Sequence, residues 1–177
     1  TMGTRALHHA SALQIAAAIR DGETSAAEML EVFIDRTERL NPAINAVIAT
    51  DYAAAREAAA GLDQLNRRGY RLGPFHGVPM TVKESYNLTG LQTTWGDTDY
   101  IGNIATADAV VVERIKRQGA VVFGKTNVPL NLTDWQSYNG VYGSTGNPWN
   151  PDRTPGGSSG GSAAALAAGL TGLEFGS

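Results

Sequence analysis

Thr106 to Phe123 reads TADAVVVERIKRQGAVVF, and this stretch decides the fold class. Its first part, Thr106 to Gln118, carries Val110, Val111 and Ile115 at helical spacing and predicts a helix with those three side chains turned inward. Gly119 then breaks the pattern. Ala120 to Phe123 is an unbroken apolar run of strand length, the signature of a strand covered on both faces. A second such strand, Val78 to Val82, precedes the helix. Buried strand, helix and buried strand in succession make the repeating step of a layered α/β sheet, so the chain from Gly73 onward is expected to fold that way.

Upstream the texture is helical. Ser11 is placed to cap a segment with Leu13, Ala16, Ala17 and Ile19 on one side, stopped by Asp21-Gly22. Ser25-Ala26-Ala27-Glu28 is a capping box, in which serine and glutamate satisfy each other's free amides, ahead of Met29, Leu30, Val32, Phe33 and Ile34. That helix is expected to end at Asn41-Pro42. Ile44 to Ala49 alternates as a short strand, and Tyr52 to Arg68 is an Ala-rich helix. The expected organisation is a helical N-terminal region, residues 1–72, followed by an α/β core over residues 73–177. Downstream, ten of the 21 glycines fall between Gly140 and Gly176, a stretch built from turns and close backbone approaches.

Composition narrows the chemistry. The 177 residues are 42% hydrophobic and 18% charged with a net charge of −3, and no block of like charges offers a nucleic-acid or membrane footprint. With no Cys, disulfides, thiolate metal sites and Cys nucleophiles are excluded, which leaves Ser, Thr, Lys or a carboxylate for covalent work. His8 and His9 sit near the N-terminus, so His76 is the one histidine placed to act as an internal base. No apolar run is long enough to cross a bilayer, and Arg5, His8 and His9 lead into an amphipathic segment unlike a secretory signal. A cytoplasmic location is therefore expected, which makes the sequons at Asn87 and Asn131 coincidental. Thr1 ahead of Met2 reads as an expression remnant.

Three motifs bear on function. Gly119 to Thr126, GAVVFGKT, matches the P-loop expression letter for letter, but its four variable positions are themselves the expected strand, whereas a P-loop curls them around phosphate. Gly156-Gly157-Ser158-Ser159-Gly160-Gly161-Ser162 has the composition of a flexible linker. The bulky Pro148-Trp149-Asn150-Pro151 before it and the small-residue helix directly after it favour a catalytic loop instead, with Ser159 or Ser162 as the helix cap and free N–H groups at the helix start aimed at a carbonyl or anion. The third motif is the strand Val78 to Val82 running straight into Lys83. Its ordinary reading is a lysine reaching out of the core into water. Its functional reading is a desolvated amine, in which burial disfavours the charge and leaves a usable base.

These blocks, in this order, resemble the amidase signature family of serine hydrolases. The residues that carry the resemblance are Gly77 to Lys83 (GVPMTVK), Gly119 to Asn127 (GAVVFGKTN), Gly146 to Asn150 (GNPWN) and Pro155 to Ser162 (PGGSSGGS), and the match runs from about Gly73 to the last residue. The resemblance implies α/β/α layers around a large mixed sheet and a Ser-cisSer-Lys triad. Lys83 matches the base, and Ser158 matches the bridging serine that follows a cis peptide bond; Gly157 and Ser159 flank it as substrate-binding positions, and Leu132 is either a wall of an acyl pocket or ordinary core. The family's nucleophile lies in G-[ST]-D-x-G-G-S, of which Gly176-Ser177 are the first two letters, so the resemblance places the nucleophile and its oxyanion hole beyond Ser177 and the core as incomplete at its C-terminus. It implies no cofactor and no metal. Two positions depart from the family pattern: Glu84 stands where Asp is usual, and Leu130 where many members have Glu.

The function implied is hydrolysis of a small-molecule carboxylic acid amide, with the remaining C-terminal part of the same enzyme as the main partner, no nucleic acid or membrane, and a homodimer as a further partner for an unpaired sheet edge. The alternatives are an amidotransferase subunit delivering ammonia to glutamyl-tRNA, and a P-loop nucleotide-binding module. Titration with ATP separates the last of these, and no saturable binding is expected.

Overall fold

The computed structural model describes residues 4–177; Thr1 and Met2, read above as an expression remnant, lie outside them. Helix α1 spans Ala12–Arg20 and α2 spans Ala26–Ile44, each opened by a complete capping box, Ser11 with Gln14 and Ser25 with Glu28. The first amides of α2 also donate to the buried Asp63 carboxylate, Ala26 N–H at 2.7 Å and Ala27 N–H at 3.1 Å, where negative charge suits a helix N-terminus. Strand β1 is Val47–Thr50 and helix α3 is Tyr52–Arg67. Then come β2 (Pro79–Lys83), α4 (Val110–Arg117) and β3 (Val121–Thr126). A small hairpin, β4 (Tyr138–Asn139) with β5 (Gly143–Ser144), precedes α5 (Gly160–Ala167) and β6 (Glu174–Phe175).

The main sheet has the order β1-β3-β2-β6. β3, β2 and β6 are parallel, and β1 closes one side antiparallel, so the sheet is mixed. Side-chain alternation gives the two faces different partners. Met80, Val82 and Val122 pack with Val112 and Ile115 of α4 on one face. Val121 and Phe123, joined by Val78 from just before β2, pack with Ile15, Ile19, Met29, Leu30 and Phe33 of α1 and α2 on the other, where Ala164 and Ala165 of α5 also gather with Val47 and Leu170. Helices therefore cover both faces in α/β/α layers, as the sequence pattern and the resemblance implied.

Several boundaries differ from the sequence reading. α4 begins four residues later than expected, because the Asp108 carboxylate is held by Thr89 and Lys116 and Ala109 N–H bonds to Asn87 O, which keeps residues 106–109 out of the helix. Its inward pair is consequently Val112 and Ile115, while Val110 is 64% exposed. α2 continues through Pro42 to Ile44, and left-handed Asn45 ends it, donating from its backbone N–H to Asn41 O. The Asn41 side chain accepts from Ala46 and Val47 N–H and donates to Val47 O, which directs the chain into β1. β3 runs on to Thr126, so Gly124-Lys125-Thr126 is strand; the P-loop match has no loop.

Two glycines show how closely α5 and the helical region are built. A Cβ on Gly161 would collide with the backbone of Asn127, whose carbonyl accepts the Gly161 N–H at 3.2 Å. A Cβ on Gly61, inside α3, would meet nothing within 4 Å. Gly161→Ala is expected to cost about 1–3 kcal/mol by overpacking, and Gly61→Ala to stabilise by roughly 0.5–1 kcal/mol through helix propensity. Urea denaturation of both variants checks this, and a Gly161→Ala chain as stable as the parent would contradict the close packing of α5.

Candidate active site

The parallel strands deliver the site. Alternation along β2 sends Met80 and Val82 to α4, so Thr81 and Lys83 face the α5 side, and Lys83 arrives at the C-terminal end of the strand beside Thr126 of β3. Opposite it lies the turn into α5. Gly157 lets that turn press against the neighbouring segment, since a Cβ there would sit 2.6 Å from both Gln136 N and Gln136 O. The Gly157–Ser158 peptide bond is cis.

Lys83 is fully buried. Its Nζ donates to Ser158 Oγ at 2.6 Å, to Ser177 Oγ at 2.9 Å and to Ser177 O at 3.2 Å. These partners are two hydroxyls and the main-chain oxygen of Ser177, with no Asp or Glu side chain among them. Burial without a counter-charge penalises the ammonium form and holds the Lys83 pKa below that of an ordinary lysine. The amine does not reach out to water.

The remaining expected residues fall as follows. Ser159 occupies the cap position of α5 but makes no capping bond; its Oγ accepts Ser177 N–H and donates to Ser177 O, both at 3.0 Å. Ser162 lies inside the first turn with its Oγ 2.9 Å from Thr126 Oγ1, so neither serine caps the helix. Two of the N–H groups expected to be free at the start of α5 are engaged: Gly160 N–H donates to Ser137 Oγ at 3.0 Å and Gly161 N–H to Asn127 O. The small residues that bring this helix close to its neighbours are what make those bonds available. His76 is buried away from the serines, its Nδ1 accepting Leu72 N–H and its Nε2 facing Leu62 O at 3.0 Å, and it pins the loop before β2. Leu132 is half-buried, in left-handed backbone, in a short turn at Leu130–Leu132 and outside the three buried apolar clusters. No group of three His, Asp or Glu side chains suited to a metal ion occurs among the described residues.

Glu84 and Lys125 form a support that no local motif signalled. The buried Glu84 carboxylate accepts Thr94 N–H at 2.6 Å, Thr94 Oγ1 at 2.9 Å and Trp95 N–H at 2.9 Å. Trp95 O in turn accepts Asn131 N–H at 2.7 Å, so the residue after Lys83 holds the segment that carries Leu132. Lys125 Nζ donates to Gln92 O at 2.7 Å and Thr93 Oγ1 at 2.9 Å, and burial lowers its pKa to about 8 against the opposing pull of Glu84. Removing a charge-assisted bond costs about 1.5–3 kcal/mol. Glu84→Ala is therefore expected to speed hydrogen exchange at the Thr94 and Trp95 amides about 10- to 100-fold, with the Gly160 amide unaffected; unchanged exchange at Thr94 and Trp95 would show that the carboxylate does not hold this corner.

Known proteins share this arrangement of elements. An acylamidase of Rhodococcus erythropolis is 42% identical over 171 residues, 97% of this chain and 36% of that protein. An indoleacetamide hydrolase of Bradyrhizobium diazoefficiens is 42% identical over 94% of this chain and 32% of that protein. A glutamyl-tRNA(Gln) amidotransferase component of Acidothermus cellulolyticus is 40% identical over 89% of this chain and 31% of that protein. Among solved structures, a fatty acid amide hydrolase superposes with a TM-score of 0.91 at 28% identity, covering 98% of this chain and 31% of that one. The native peptide amidase of Stenotrophomonas maltophilia superposes with a TM-score of 0.87 at 31% identity, covering 93% of this chain and 35% of that one. The chain thus spans about a third of the length of the curated relatives it matches. The family model for amidases aligns with residues 28–177, from the capping box of α2 through the buried lysine to the last serine, and the chain belongs to the amidase family.

Proposed function

We propose that the protein carrying this chain hydrolyses the C–N bond of a small carboxylic acid amide through an acyl-enzyme, with Lys83 as base and Ser158 as proton relay. One observation carries the reading: a fully buried lysine amine with no Asp or Glu partner stands 2.6 Å from the Ser158 hydroxyl. In the neutral amine, the Nζ lone pair accepts the Ser158 proton while Ser158 Oγ takes the proton of the nucleophilic serine, which the resemblance puts five residues past Ser177. That serine's oxygen bonds to the amide carbon. The proton then returns through Ser158 to the departing nitrogen as the C–N bond breaks, and water repeats the relay to release the acid. Gly157 and Ser159 border the reacting carbonyl in this scheme. Leu132, with Trp95 beside its turn, contributes an apolar wall for the acyl group. The remainder of the same protein is the partner that completes the site.

The amidotransferase relatives support a second reading, glutamine hydrolysis with transfer of ammonia to glutamyl-tRNA. The apolar Leu130 and Leu132 favour the stand-alone amidase. Assays against aryl amides, aliphatic amides and glutamine, with and without partner proteins, decide between them.

In the full-length protein, Lys83→Ala and Ser158→Ala are each expected to lower kcat/KM for an amide by about 10²–10⁴. The double variant is expected to lose little more, because residues acting as a unit are not additive. Only the neutral amine accepts a proton, so wild-type kcat should fall as pH drops through the lowered Lys83 pKa. Full activity of Lys83→Ala, with its folding verified by circular dichroism, would reject the assignment.

A further inference from the structure

Glu174 lies outside the proton relay, yet its carboxyl meets every element that carries the relay. On its own strand, β6, it stands three residues before Ser177. Its Oε2 accepts Thr81 Oγ1–H at 2.5 Å, and Thr81 precedes Lys83 by two residues on the same face of β2. The carboxyl also faces the hydroxyls of Thr126, the register partner of Lys83 on β3, and of Ser162, four residues after Ser158 in α5. Those two hydroxyls are 2.9 Å apart. The second oxygen, Oε1, accepts Phe175 N–H at 3.0 Å.

We propose that Glu174 is a positioning residue of the amidase site, its side chain locking β2, β3, β6 and α5 in the register that brings Lys83, Ser158 and Ser177 together. The inference rests on the amide-hydrolase reading above. A strand on its own fixes which face a residue occupies but leaves sliding along its neighbour and the approach of a helix to side-chain contacts. Here one carboxyl and three hydroxyls supply those contacts below the relay. Burial outweighs the hydrogen bonds that favour the anion and pushes the Glu174 pKa up to about 8, so the group is a neutral acid at neutral pH. No Asp or Glu side chain hydrogen-bonds to Lys83, whose amine meets only Ser158 and Ser177. Lys125 of β3 points to the opposite face, onto Gln92 and Thr93, and α5 contains no ionisable residue. A carboxylate below Lys83 would favour its ammonium form and weaken the base.

The test compares two variants of the full-length protein in steady-state amide hydrolysis at pH 7. Glu174→Leu keeps the bulk and removes the hydrogen bonds; misplacement of reacting groups by about an ångström costs on the order of 10²-fold, so kcat should fall ~10- to 100-fold with KM within ~3-fold of wild type. Glu174→Gln, a neutral isostere with both donor and acceptor, should restore most of kcat. The proposal is overturned if Glu174→Leu retains wild-type kcat, or if Gln impairs kcat as much as Leu. Should Glu174→Leu fail to fold, Thr81→Val, which deletes the donor at 2.5 Å, should lower kcat in the same direction without moving KM, and an unchanged kcat there overturns the proposal equally. Lys83→Ala runs alongside: if it is fully active, the amidase reading itself falls, whereas an inactive Lys83→Ala beside an unimpaired Glu174→Leu removes only the role of Glu174.

Discussion

An amine buried with hydroxyls for company, and no acidic side chain to neutralise it, is the constraint around which this structure is arranged. Water stabilises an ammonium ion far better than serine hydroxyls do, so a lysine goes to such a place only where the surrounding packing leaves no exit. Every residue of β2 is buried, between two parallel neighbours and two helical layers, and Lys83 is its last. Of the strands flanking it β3 is long and β6 short, and α5 completes the enclosure. Gly160 and Gly161 in its first turn have no side chain to hold it off; Arg36 from α2 grips its other end by donating to Ala168 O and Gly169 O, both at 2.7 Å.

A second lysine shows that burial alone does not make a site. Lys125 is as inaccessible as Lys83 and has its pKa lowered to about 8, yet it faces the layer of α4 and is tied to a carbonyl and a threonine in a loop. Glu84, adjacent to one lysine in sequence and electrostatically felt by the other, keeps its carboxylate on backbone amides. One strand register thus separates a structural lysine from a chemical one: Val82 pairs with Lys125, and Lys83 with Thr126.

Much of this was legible in the amino acids, and the gaps have physical causes. The capping box of Ser25 and Glu28 was readable because the two lie three residues apart, a purely local signal; Ser11 was readable as a cap, while its partner Gln14 came only with the structure. The strands around Val78 to Val82 and Ala120 to Phe123 were readable because double-sided burial demands apolar runs. Lys83 and Ser158 came from ordered motifs, but their meeting spans 75 residues and no pattern of spacing encodes it. Val112 displaced Val110 as the inward residue because Asp108 and Ala109 bond to Thr89, Lys116 and Asn87, which moves the helix start. The engagement of the α5 amides by Ser137 and Asn127, and the meeting of Glu174 with Thr81, are likewise contacts between distant segments.

Asn127 sits where β3 leaves the sheet, and it uses both ends of its side chain. Nδ2 donates to Gly143 O and Thr145 Oγ1, each at 3.0 Å, while Oδ1 accepts from Val128 N–H and Asn139 Nδ2. Asparagine is among the side chains that heat and time degrade, losing ammonia to become aspartate. Here that change would replace two donated hydrogens with an anion facing a carbonyl oxygen, leaving the hairpin β4–β5 to its remaining ties, those of Asn45 to Tyr142 O and Ser144 O and of Asn139 to Val128 O. The bonds of Asn127 itself counter it: attack by the Val128 nitrogen on the side-chain carbonyl needs rotation of a group that four partners and full burial hold still. The shelf life of the folded chain is thereby coupled to how tightly one dry asparagine is gripped.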